Sequence, residues 1–459
     1  LPPQQIKGVV PPSKKWPTIA NSNIFAQMNL PYFIAKKVSL NNRQSFTGLI
    51  VRIAIVAVAL SLAVMIVSTA VISGFKHQIG EKIFGFWGHI HITNTQINRT
   101  TGESVPISIN QTFYPSLDTL GPITYTESPV IFGMEMPWVV EKKTKGGIRH
   151  VQVFALKPGI IKTKKEIEGI ILKGIGRDFD GSFFEKFLVE GGPIELPDSA
   201  GNGIVLSKQT ADRLELGVND KFIFYYVRGG EALAKRFIVT GIYKTGLEEY
   251  DRKFAMVDIR NVQELLDWPS DMVGGFEVSV DNLQDIEVFS DYIYMEELPG
   301  ELYCESIRKK YPAIFDWLAL QDINEVVILA LMLVVGLINM VTALMILILE
   351  RTNMIGVLKS LGQTDWSIRK VFLYNAAYII LLGLFFGNLA GIWFCYLQEK
   401  YGFIRLSEEN YYLSEAPVEL NLYSVMGLNV LALIVILLFL IFPSWLVTRI
   451  SPVKAIRFK

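Results

Sequence analysis

The chain has 459 residues, 51% of them hydrophobic and 19% charged, with 44 basic and 44 acidic side chains. That balance is too apolar for one ordinary soluble domain and carries no basic excess of the kind that binds nucleic acid. Two cysteines, Cys304 and Cys395, are too few for a disulfide framework or a cysteine-rich metal site, and they fall in different predicted segments.

Residues 1–27 are proline-rich without periodicity and read as a disordered or non-native extension, because "MNLPYFIAKKV" from Met28 has the form of a natural start. Residues 28–45 then read as a basic amphipathic segment on the cytoplasmic side. Four uncharged runs follow, at 53–75, 326–349, 371–398 and 420–448. Each exceeds the roughly 20 residues that cross a hydrocarbon core, so four transmembrane helices are predicted.

Charge is divided between the segments that these helices separate. Residues 1–52 carry seven basic and no acidic side chains, 350–370 four against two, and 449–459 four against none. Residues 76–325 carry 27 basic against 37 acidic, and 399–419 two against five. The short basic segments belong on the cytoplasmic side, which places both termini there and the 250-residue insertion outside.

The insertion reads as mixed α/β. Strands are predicted at 88–94, 149–156, 221–227, 236–243, 253–258 and 275–282, with helices in "SKQTADRLEL", capped by Ser207 with Leu214 and Leu216 on its buried side, and in "IRNVQELLDW". His89 and His91 share a strand face, which suits either a metal or a structural role; no third ligand of suitable spacing lies nearby. The carboxylates form no catalytic constellation. The closest spacing to a phosphate-binding loop, Gly169 to Gly174, continues with Ile175 instead of the lysine and hydroxyl such a loop needs, so nucleotide hydrolysis must come from a partner.

Between the second and third helices lies "ERTNMIGVLKSLG", in which Met354, Val357, Leu358 and Leu361 recur at helical spacing and Gly362 can end the helix. A short amphipathic helix held between two spans is shaped either to enter a groove on another protein or to lie on lipid headgroups. On the third helix Gly383, Gly387 and Gly391 form a ladder that predicts close helix packing.

The pattern Glu350-Arg351-x-x-x-Ile355-Gly356-x-Leu358-Lys359-x-Leu361-Gly362 resembles the coupling motif of the MacB/FtsX-type ABC permease superfamily. The ending "FPSWLVTRISPVKAIRF", with Pro452, Ala455, Ile456 and Arg457, resembles the tail of that family. "GIVLSKQTADRLELGVNDKFIFY" resembles its periplasmic segment, and "YYLSEAPVEL" is similar to a loop of the lipoprotein-releasing branch, the LolC/LolE type. The resemblance runs from about Asn29 to Lys459, in family order.

It implies an α-helical membrane protein with four transmembrane helices and a large mixed α/β periplasmic domain between helices 1 and 2. The expected segments are a stalk and transmembrane helix at 46–80, the periplasmic domain at 81–312, a second stalk and helix at 313–349, the coupling loop at 350–370, helices at 371–398 and 420–448 around a periplasmic loop at 399–419, and a cytoplasmic tail at 449–459. The implied setting is the inner membrane of a Gram-negative bacterium.

The resemblance further implies a non-catalytic subunit without a cofactor of its own, ATP and Mg being bound by two copies of a LolD-like ABC ATPase. The ATPase-coupling residues would be Glu350, Arg351, Met354, Ile355, Gly356, Val357, Leu358, Lys359, Leu361 and Gly362. Other implied partners are a second permease subunit, identical or related, a triacylated lipoprotein, a LolA-like periplasmic chaperone and membrane lipids, with no nucleic acid. Met65, Val67, Val71, Phe75, Val334, Leu337 and Met340 are the candidates to line an apolar lipoprotein cleft. Arg228, Lys235 and Arg236 are candidates to meet the chaperone, although the loop "RGGEALAK" is short where the chaperone-recruiting permease has a hook. Residues 157–192 are longer than the family's usual connection. The alternatives within this architecture are a MacB-like exporter and an FtsX-like regulator of a cell-wall hydrolase; outside it, a membrane-tethered enzyme.

Overall fold

The four uncharged runs become four long helices in the computed structural model, which describes residues 31–35, 46–96, 103–131, 134–163, 166–194, 196 and 201–450. Met28 and the tail residues Pro452, Ala455, Ile456 and Arg457 lie outside the described residues. The long helices are α1 (Phe46–Trp87), α2 (Pro312–Glu350), α4 (Asp365–Tyr401) and α5 (Leu422–Ser444), and the short helix α3 (Thr352–Ser360) separates α2 from α4. All four are long and apolar enough to cross a membrane.

The chain divides into two compact units. One comprises 1–67, 328–393 and 421–459; the other comprises 68–327 and 394–420. In the first, the glycine ladder does what its spacing predicts. A methyl group at Gly383 would stand 2.7 Å from Val58, at Gly387 2.8 Å from the Ala59 carbonyl, and at Gly391 3.2 Å from Ala63, so α1 and α4 run parallel in near backbone contact. Helices α4 and α5 are joined by a reciprocal amide pair, Asn388 Nδ2 to Asn429 Oδ1 at 2.7 Å and Asn429 Nδ2 to Asn388 Oδ1 at 2.9 Å. Each amide also donates to a carbonyl one turn back, so neither leaves a donor or an acceptor unpaired between apolar helices.

In the second unit ten strands form one mixed sheet. They are β1 (Ile90–Asn94), β2 (Ile148–Lys162), β3 (Ile167–Ile175), β4 (Leu188–Gly191), β5 (Gly203–Ser207), β6 (Lys221–Arg228), β7 (Glu231–Tyr243), β8 (Phe254–Asp258), β9 (Gly275–Val280) and β10 (Leu302–Ser306). Their order is β6-β7-β5-β8-β3-β2-β9-β1-β10, with β4 on β7 and an extra pairing of β6 with the far half of β2. That extra pairing closes β2, β3, β8, β5, β7 and β6 into a ring filled by Phe224, Phe237, Ile161, Leu172 and Ile204, all buried.

The long 157–192 segment is therefore structural. It completes β2, makes β3 and β4, and places the helix Ser182–Phe187 on the core through Phe183. Every predicted strand has a counterpart, as do both helices, and Ser207 caps Lys208–Leu214 by accepting from the Thr210 N–H. Of these ten, β3, β4, β5 and β10 were not predicted. Both cysteines are free; residues 394–420 cluster with the inserted domain, so Cys395 belongs to the same unit as Cys304.

Candidate functional site

Helix α2 ends at Glu350, the chain turns at Arg351 and α3 begins at Thr352. Gly362 follows the last turn with φ +85°, donating to the Lys359 carbonyl at 3.0 Å while Gln363 donates to that of Leu358 at 3.0 Å. This paired return is the glycine stop that the sequence predicted, and it uses the last free carbonyls of α3.

The faces of α3 differ in kind. Ile355 and Gly356 are buried against their own unit. Lys359 folds inward, its ammonium 2.9 Å from the Ile450 carbonyl, 3.4 Å from that of Thr448 and 2.9 Å from Asp365 Oδ1. On the opposite side Val357 and Leu361 are 49% and 75% exposed, with Met354 and Leu358 half-buried between the two faces. Of the ten coupling candidates, Ile355, Gly356 and Lys359 thus anchor the helix, and Val357 and Leu361 with part of Leu358 form its exposed apolar face. The spacing alone could not tell the anchoring side from the presenting side.

The other candidates separate as well. Met65 and Met340 are 3% and 1% exposed, inside the helix packing, so neither presents surface for a cleft here. Val334 is exposed, Val67 and Leu337 are half-buried, and Phe75 packs its ring 6.3 Å from Tyr411 of the outer loop, with Val71 half-buried one turn earlier. The "RGGEALAK" loop shrinks to two residues, since β6 runs to Arg228 and β7 starts at Glu231 around Gly229 and Gly230, both at positive φ. Lys235 is held by Glu264 at 2.5 Å and Arg228 donates to the Glu264 carbonyl at 3.3 Å, which leaves Arg236 exposed on the same strand.

A second constellation lies where α1 enters the sheet. Register sets His91 of β1, Glu277 of β9 and Gln152 of β2 side by side. Lys173 of β3 reaches Glu277 Oε1 at 2.7 Å and donates to the Phe86 carbonyl at 2.5 Å. Gln152 donates to the other Glu277 oxygen at 2.7 Å. Lys310, two residues before α2, lies 2.8 Å from His91 Nδ1, and His91 Nε2 lies 2.8 Å from the Trp87 carbonyl. The Lys173 ammonium also sits 4.7 Å from the centre of the Trp87 ring.

His91, Lys173 and Glu277 are all buried. Burial raises Glu277 and lowers Lys173, and their mutual contact opposes both shifts. Burial first, then Lys310 and Lys173, hold His91 well below its ordinary pKa; the neutral ring accepts from Lys310 and donates to Trp87. His89 accepts the Val280 N–H at 2.8 Å. The histidine pair is therefore engaged in structural hydrogen bonds. Sequence reading missed Lys173 and Glu277, although each is a lone charge in an apolar strand, "IILKGI" and "GFEVSV", the signal that marks a paired buried group.

Comparison with known proteins matches residues 53–293 to the MacB-like periplasmic core domain and 326–452 to the FtsX-like permease C-terminal domain. The chain is 21% identical over 447 residues to the lipoprotein-releasing system transmembrane protein LolC of Xylella fastidiosa, covering 94% of this chain and 98% of that one. It is 22% identical over 454 residues to LolE of Haemophilus influenzae, covering 94% and 99%. Among solved structures, the extracellular domain of the ABC-type transporter YknZ from Gram-positive bacteria matches 47% of this chain and 99% of its own at 14% identity, with a TM-score of 0.27, too low to bear on the fold.

Proposed function

The chain belongs to the MacB/FtsX-like permease superfamily, of the LolC/LolE type, and from that premise we propose that it is the membrane subunit of an ATP-driven machine that lifts lipoproteins out of the inner membrane. The observation that carries this reading is similarity to LolC and LolE along nearly the whole length of all three chains, inserted domain included. An FtsX-like regulator or a MacB-like exporter would share the domains; the end-to-end match favours release.

In this reading α3 docks on a LolD-like ATPase through Val357, Leu358 and Leu361. ATP and Mg stay on that partner, two copies of which serve a pair of permease subunits. Lys359, Ile355 and Gly356 make α3 rigid with its unit, so that movement of the ATPase becomes movement of α2 and α4 instead of local bending. Helices α1 and α2 continue well past the length that a bilayer requires, at 42 and 39 residues, and carry the displacement onward. The two termini and α3 face the cytoplasm, as the distribution of basic residues supports.

Force is required because moving acyl chains into water costs about 0.8 kcal/mol per CH₂, roughly tens of kcal/mol for three chains. Val67, Val334 and Leu337 are the cleft candidates on the membrane unit. The substrate passes to a LolA-like chaperone, and the tight turn at Gly229 and Gly230 argues against a hook on this subunit.

The test is reconstitution with the cognate ATPase in proteoliposomes that hold a triacylated lipoprotein, scoring ATP-dependent transfer to a soluble chaperone. Transfer by the native chain and its loss in Leu358→Asp/Leu361→Asp, with the ATPase no longer copurifying, is the expected result. Stimulated ATP hydrolysis without any transfer would move the exporter or the hydrolase regulator ahead.

A further inference from the structure

In the membrane unit a groove of about 920 Å³ runs between α1 and α4. Its floor is made of small residues, Ala59 and Ala63 on α1 and Ala390 on α4, at the level where Gly387 and Gly391 bring the two helices together. Its rims are large and exposed, among them Phe386 and Trp393. Arg52, at one end, is the one charged residue among those that line it.

Dimensions and charge point to one occupant. From Arg52 to Ala63 is eleven residues, about 16 Å of helix, or half of the roughly 30 Å hydrocarbon core. The groove therefore has the depth of a single leaflet with a guanidinium at its headgroup end. An arginine inside a candidate span is costly unless it reaches the interface, where its planar fork fits a phosphate, and best one whose charge no neighbouring ammonium offsets.

We infer that this groove is a binding site for an anionic phospholipid, one acyl chain lying on Ala59, Ala63 and Ala390 and the headgroup phosphate on Arg52. The leaflet is the cytoplasmic one if the orientation proposed above holds. The site itself requires neither that orientation nor lipoprotein release.

The probe is a photoactivatable phosphatidylglycerol, compared with phosphatidylcholine carrying the same acyl group, in nanodiscs of the full chain. Cross-links from phosphatidylglycerol should concentrate in the peptides containing 52–63 and 386–393, with a yield about five-fold above phosphatidylcholine. Arg52→Gln should erase that excess and Arg52→Lys should keep most of it. Ala59→Phe with Ala63→Phe should remove labelling by both lipids there while labelling at Phe442 on α5, exposed in the same unit, persists and reports an intact fold. Equal labelling of the native chain by the two lipids would reduce the groove to ordinary lipid contact. An oxidative cross-link between copies carrying Leu60→Cys would show that a second copy of the chain covers it. Either result overturns the assignment. Neither depends on an ATPase or a lipoprotein, so failure here leaves the proposed function untouched.

Discussion

The short helix α3 and the junction at Trp87 solve opposite problems with similar residues. Both use a lysine to hold carbonyls at a helix end: Lys359 takes those of Thr448 and Ile450, and Lys173 takes that of Phe86. At the junction Lys173 has a buried carboxylate, a glutamine one bond further on and aromatic rings around it, so the constellation is closed to water. At α3 the lysine secures one face while Val357 and Leu361 remain in the open. A closed constellation transmits position within a domain; an anchored helix with bare apolar side chains invites another protein.

The strongest way to break this contrast is to remove one half of the closed pair. Glu277→Ala leaves the Lys173 ammonium buried without its carboxylate and should destabilise the inserted domain by about 3–5 kcal/mol, read as a lower thermal midpoint and faster proteolysis of the full chain. Glu277→Leu with Lys173→Met should recover most of that loss. If Glu277→Ala costs nothing, the junction is not the structural clamp described here.

Acid should act on the same region through His89. Burial, then Arg149 and Arg308, lower its pKa to about 3 from 6.5. The folded value lies below the unfolded one, so the contribution is fully present above about pH 6.5 and is lost as pH falls towards 3, by about 2–4 kcal/mol across that window. His89→Gln retains an acceptor for the Val280 N–H, and denaturation of the variant against pH should show a shallower slope.

In the membrane unit, Gly387→Val pushes a branched side chain against the Ala59 carbonyl and should cost about 1–3 kcal/mol, visible as lower detergent stability. Lys359→Met removes the anchor of α3 and should cost about 1–2 kcal/mol, with a weakened dependence of ATP hydrolysis on substrate although the ATPase still binds. The smallest structural effect belongs to Leu361→Asp, within about 0.5 kcal/mol of the native fold because the side chain is open. Its expected consequence is on binding, a loss of the ATPase by more than about ten-fold in copurification. A Leu361→Asp variant that unfolds the unit would place this residue on the anchoring side.

Much of the architecture could be read directly from the chain. Four uncharged runs above the length of a bilayer leave only helices as an outcome, and a glycine ladder forces close approach wherever a second helix lies beside it. Ser207 and Gly362 act within a few residues of themselves, so their caps were legible locally, whereas the turn at Gly229 and Gly230 was read as an eight-residue loop. Tertiary structure decided what depends on residues far apart. Lys173 and Glu277 are 104 positions apart in sequence and meet only because β2, β3, β9 and β1 lie side by side in the sheet. The helical period of α3 showed a stripe but not which side its own unit would claim; that was settled by Lys359 reaching carbonyls some ninety positions later. Periodicity is a property of one segment, whereas burial is a property of the neighbours that the fold brings to it.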